Sequence, residues 1–164
     1  MDRVIRKIID GDFSDLEGFT AALSIPLRQH LINEVIESAL RGNKDIESCQ
    51  VSILSQNRVS VVLKATLWPW PLHLKLRLDK SVDLASYASP KMRAWLENNR
   101  LLGSIGSFFN ALPEGIRLYG DQVVVDIGVF LHTPAQKRML NLIKSVDIKT
   151  EEGKINLDVK IRVD

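Results

Sequence analysis

The sequence predicts an α+β domain in which a long helix and shorter helices pack on one face of a curved, mainly antiparallel sheet. Two patterns carry that expectation. Val59, Val61, Leu63, Ala65 and Leu67 alternate with mostly polar neighbours, as do Leu72, Leu74, Leu76 and Leu78. Strands with one apolar and one wetted face belong to antiparallel sheets, whereas parallel strands covered on both sides read as nearly continuous apolar runs. Ahead of these runs, Leu27, Leu31, Val35, Ile36, Ala39 and Leu40 recur at helical spacing. The 164 residues suit one core. The expected organisation is therefore a single domain over 1–164, with 1–23 as a helical lead-in.

Within the lead-in, Val4, Ile5, Ile8 and Ile9 form an apolar stripe opposite Arg3, Arg6 and Lys7. Ser14 and Glu17 make a capping box for a second helix carrying Leu16, Phe19 and Leu23, weakened by Gly18. Pro26 suits the first turn of the long helix, which Arg41 and Gly42 close. Cys49, Val51 and Ile53 then alternate as a strand, and a turn at Ser55-Gln56-Asn57 joins it to the Val59 run. Trp68-Pro69-Trp70-Pro71 interrupts the ladder, because proline offers no amide hydrogen. The Leu72 strand follows, its other face reading His73, Lys75, Arg77 and Asp79.

Ser89 and Pro90 open a further helix through Met92, Trp95, Leu96 and Leu102, with a break at Gly103 and Gly106 before Phe108, Phe109 and Leu112. After a turn at Leu112 to Gly115, strand is expected at Ile116 to Leu118 and from Val123 to Leu131. Thr133, Pro134 and Gln136 start a last helix that runs through Met139, Leu140 and Ile143. Ile155, Leu157, Val159, Ile161 and Val163 end the chain as a strand.

Composition excludes several classes. At 45% hydrophobic residues and a net charge of +2, the chain is not of the disordered type. A single cysteine rules out an intrachain disulfide. No apolar run approaches the ~20 residues of a membrane-spanning helix, and the first residues lack the apolar stretch of a secretory signal. A cytoplasmic location is expected, with peripheral membrane contact left open.

Chemistry-bearing motifs are sparse. His30, His73 and His132 show no metal-pair spacing, so no metal or other cofactor is expected. Cys49 shares the parity of Val51 and Ile53, which suits a buried thiol. No GxSxG, P-loop or GxGxxG occurs. Gly103-Ser104-Ile105-Gly106 resembles the GxxG loop of KH domains, but it lacks a basic residue, and nucleic acid is disfavoured as a partner. Lys64, His73, Lys75, Arg77, Lys160 and Arg162, with Arg58, share a polar sheet face with Asp79, Asp126 and Asp158, which suits either an anionic partner or a solvated face of cross-strand charge pairs. Trp68, Trp70, Trp95, Phe108 and Phe109 fall in or beside segments that bend, where a wall stays open to an apolar ligand.

The order of PLRQHLINEVIESALRG, IESCQVSILSQNRVSVVLKATL and LPEGIRLYGDQVVVDI resembles bacterial members of the tubular lipid-binding (TULIP-like) group over Ser24 to Ile127. That resemblance implies a long helix wrapped by a curved antiparallel sheet with acyl chains in the apolar interior. It places the lining on Leu31, Val35, Leu63, Leu72, Leu74, Val125 and Ile127, to which the aromatic cluster adds Trp95 and Phe109. Unlike envelope-associated relatives, the chain shows no leader or lipid-attachment cysteine near its start, which puts an envelope location in question.

The expected function is thus a non-enzymatic binding domain for a lipid or other apolar ligand, held in a groove between helix and curved sheet. The alternative is a surface-acting interaction or accessory module that uses the basic sheet face or the N-terminal amphipathic helix. No protein partner is named by the sequence.

Overall fold

A computed structural model describes residues 18–85, 89–97, 114–130 and 133–163. In order, the elements are β1 (Thr20–Arg28), α1 (Gln29–Leu40), β2 (Ile46–Leu54), β3 (Arg58–Ala65), β4 (Leu72–Leu78), β5 (Lys91–Leu96), β6 (Ile116–Tyr119), β7 (Gln122–Asp126), a 3-10 turn (Ile127–Phe130), α2 (Pro134–Leu142), β8 (Ile143–Glu151) and β9 (Lys154–Arg162). The strands form two antiparallel sheets. One has the order β1-β9-β8, and the other β2-β3-β4-β5-β7-β6.

This corrects the expected α+β layering. Among the described residues strand dominates, and no long helix lies across a sheet face. The twelve-residue α1 runs beside the edge strand β2, where Ile32, Ile36 and Leu40 pack partly buried against the core. Its amides take the place of a neighbouring strand. Asn33 Nδ2 donates to Val51 O at 2.9 Å, Val51 N–H donates to Asn33 Oδ1 at 2.8 Å, and Ile53 N–H donates to Gln29 Oε1 at 2.8 Å. Asn43 Oδ1 accepts from Asp45 N–H and Ile46 N–H. An exposed strand edge is thereby sealed with side chains.

The long helix also starts later than its apolar spacing suggests. Thr20 to Arg28, including Leu23 of the expected lead-in helix and Pro26, pair residue by residue with Arg162 to Lys154. A partner so distant in sequence is invisible to local periodicity. Pro26 is tolerated because of the phase of that pairing. Gln29 N–H donates to Gly153 O and Val163 N–H to Phe19 O, so the odd-numbered residues of β1 hydrogen-bond β9. The missing amide of Pro26 then falls on the free edge, where proline does least harm. The stripe at Arg3 to Ile9 and the Ser14/Glu17 box lie outside the described residues.

β5 replaces the start of the helix expected after Pro90; the rest of that expectation, through Leu102, Gly103, Gly106 and Phe108 to Leu112, lies outside the described residues. Met92, Ala94 and Leu96 alternate toward the core, whereas the spacing of Met92, Trp95 and Leu96 mimics a helix. β7 ends at Asp126 instead of running on to Leu131. Asp126 Oδ1 accepts from Gly128 N–H, and Ile127 N–H turns to Pro90 O. The final helix ends at Leu142, and the next nine residues form β8, whose Val146 and Ile148 already alternate in sequence.

The alternation in β2, β3 and β4 appears as expected as far as Ala65; Leu67, expected to continue the inward row, lies beyond β3 and is 85% exposed. Val51, Ile53, Val59, Leu63, Leu72, Leu74 and Leu78 are buried, joined by Ile46, Ala94, Leu96, Val123 and Ile148. Ile148 comes from the smaller sheet, so the two sheets share one core. Their joint is Asn57, held at a positive φ of 56° in the β2–β3 turn. Its Nδ2 donates to Ile148 O at 2.9 Å, and its Oδ1 accepts from Thr150 N–H at 2.9 Å. Ile148 N–H to Lys80 O and Val82 N–H to Val146 O continue the seam.

Candidate functional site

The three-stranded sheet has two unlike faces. On one, cross-strand rows read Ile148, Leu157, Ile25 and Val146, Val159, Leu23. Residues directly opposite in antiparallel strands share a face. That face meets the common core on the β8 side and runs out of cover toward β1: Ile148 is 1% exposed, Leu157 partly buried and Ile25 41% exposed. Leu23 and Phe19 are also exposed. Helix α1 follows β1 with no residue between, and its Leu31 and Val35, one turn apart, are exposed, Val35 at 68%.

The strip along Ala21, Leu23, Ile25 and Leu27, backed by Ile161, Val159, Leu157 and Ile155, carries no charge. Seven extended residues span about 20 Å, and one inter-strand spacing is about 4.8 Å. The strip is thus long and narrow.

The opposite face is polar. Ser24 faces Asp158, and Asp158 faces Asp147. The Ser24 hydroxyl donates to Asp158 Oδ1 at 2.8 Å, and Lys149 Nζ reaches Oδ2 at 3.2 Å. The Ser24 hydrogen bond, followed by Lys149, holds the Asp158 carboxyl below the usual carboxylate range. Glu151 is likewise lowered, first by Lys154.

The expected ligand lining does not converge. Leu63, Leu72 and Leu74 are buried in the core, with Leu63 paired to Leu72. Leu31 and Val35 are exposed on α1. Val125 pairs with Met92 and Ile116, and Ile127 begins the 3-10 turn. Trp95 lies between inward-facing Ala94 and Leu96 and so turns to the outer face, opposite Arg77. There it lines a cleft of about 740 Å³ with Arg77, Lys80 and Lys149, but also with Asp79 and Asp147. Phe109 lies outside the described residues.

Of the basic set, Lys64, His73, Lys75 and Arg77 share the outer face of β3 and β4, with Arg58 directly opposite Arg77. Lys160 and Arg162 belong to β9, in the other sheet. Acidic neighbours offset two of these cations: Lys64 pairs with Glu47 at 2.6 Å and Arg58 with Glu97 at 3.1 Å. On β5, Arg93 pairs with Asp83 at 2.6 Å. Cys49 is half-buried, and burial pushes its thiol pKa up, away from thiolate chemistry.

The apolar strip is hidden in the sequence because the helical spacing expected for the 1–23 lead-in, and again from Pro26, overlaps it. Ala21, Leu23, Ile25 and Leu27 do alternate, and that was the available signal.

No group of three or more histidine, cysteine or acidic side chains able to hold a metal occurs among the described residues, and no helix among them is long and apolar enough to cross a membrane. No known family, curated protein or solved structure matches the chain.

Proposed function

We propose that this chain is a non-enzymatic binding domain for a lipid or other apolar chain, taken along the β1–β9 strip beside α1. The observation that carries the reading is the row Ile148, Leu157, Ile25, in which a continuous apolar face passes from full burial to exposure. Width selects the ligand. A helix is about 10 Å across and a protein interface buries about 800 Å² per partner, whereas a strip about one strand spacing wide matches a single acyl chain. Its length of about 20 Å is comparable with the ~15 Å hydrocarbon depth of one bilayer leaflet. The reading keeps the ligand class that the tubular lipid-binding resemblance implies and moves the site from a helix-covered groove to the margin of the smaller sheet.

The test is mass spectrometry of an organic extract from protein purified without detergent. Wild type is expected to yield lipid in amounts comparable to protein, and the Leu23→Ser/Ile25→Ser variant to yield little. An extract from wild type that is empty of lipid, together with no uptake by the delipidated chain, would overturn the reading.

A further inference from the structure

We propose that the corner between β3 and β4, Thr66-Leu67-Trp68-Pro69-Trp70-Pro71, is a tip that inserts into the interface of a lipid membrane. It contains the most exposed large apolar side chains among the described residues. Leu67 is 85% exposed and Trp70 71%. The corner is anchored at its base: Thr66 N–H donates to Asp45 O at 3.0 Å, the Thr66 hydroxyl to Lys44 O at 2.7 Å, and Trp68 N–H to Ala65 O at 3.2 Å. Half-buried Trp68, with Leu63, Ala65, Leu72 and one side of Trp70, lines a gap with no room for water. Pro69 and Pro71 restrict the backbone, so presenting Leu67 and Trp70 requires little further ordering.

A projecting pair of side chains is too small for a stable protein interface, which needs a broad complementary surface. A bilayer interface needs no such complementarity, and tryptophan favours the headgroup level, where its ring is half apolar and its N–H is wet. No residue from Thr66 to Pro71 is charged. The Thr66 hydrogen bonds hold the α1–β2 connection beside the tip, where the charges balance: Arg41 follows Glu37 by one turn of α1, Lys44 adjoins Asp45, and Glu47 is matched by Lys64.

The tip lies in the six-stranded sheet and does not depend on the β1–β9 strip being occupied. The test is sedimentation of the full chain with vesicles of equimolar phosphatidylcholine and phosphatidylglycerol. Wild type is expected to sediment, and Leu67→Ser/Trp70→Ser to lose at least about tenfold in partition, because two large side chains no longer leave water. Thermal unfolding of the variant should match wild type, and Leu67→Ser alone should shift partition in the same direction. Wild type that stays in the supernatant, or equal partition of wild type and double variant, overturns the proposal.

Discussion

Asn33 and Val51 form a closed pair in which one side-chain amide satisfies both backbone groups of an edge-strand residue, at 2.9 and 2.8 Å. The contact explains why a helix stands beside β2 without lying over the sheet. Replacing Asn33 by Leu keeps the apolar packing and orphans both groups. A loss of about 1 to 3 kcal/mol is expected, read from the urea midpoint at unchanged slope.

The inward and outward faces of β4 predict opposite outcomes at adjacent positions. Leu74 is buried and paired with Val61, whereas Lys75 faces solvent opposite Ser60. Leu74→Lys would bury an unpaired charge and should abolish cooperative unfolding or lower the midpoint severely. Lys75→Glu should stay within about 0.5 kcal/mol of wild type. Equal thermal midpoints would show that the faces are assigned wrongly.

Asn57 joins the two sheets through Ile148 O and Thr150 N–H, and its left-handed backbone is better suited to asparagine than to most residues. Asn57→Gly retains the turn and removes both hydrogen bonds. A loss of about 2 kcal/mol or more is expected in denaturant unfolding, together with faster amide exchange at Thr150. Unchanged stability would show that the seam holds without it.

Asp158 should respond to pH through Ser24. Its folded pKa is lowered, first by the Ser24 hydroxyl and then by Lys149, so it contributes stability that is present above the ordinary carboxylate pKa and lost as pH falls through the lower folded value. Ser24→Ala should raise the Asp158 pKa toward the ordinary value, as followed by carboxyl NMR. Its stability difference from wild type should shrink as pH falls through that range.

How far the fold could be read from sequence depends on the range of the interactions involved. β2, β3, β4 and β9 were identifiable because alternation such as Leu72, Leu74, Leu76, Leu78 is a local record of a one-sided core. β1 resembles helix in the sequence because Leu27, Leu31 and Val35 keep helical spacing across a strand–helix junction that only the distant β9 sets. β5 resembles helix for the complementary reason: Met92, Trp95 and Leu96 fit a helix by coincidence, and Trp95 in fact faces away from its neighbours. The core members Leu63, Leu72 and Leu74 were recognisable as apolar and inward. That they are packed, while Leu23 and Ile25 are left at the margin, depends on where the shared core ends, which no local pattern encodes.

The most direct test of the apolar strip is titration of the delipidated full chain with a fluorescent long-chain fatty acid. Saturable uptake of one equivalent is expected, with affinity falling about tenfold or more in Leu23→Ser/Ile25→Ser while the unfolding midpoint holds. Affinity that is indifferent to both substitutions, or uptake that never saturates, would contradict a binding site on β1.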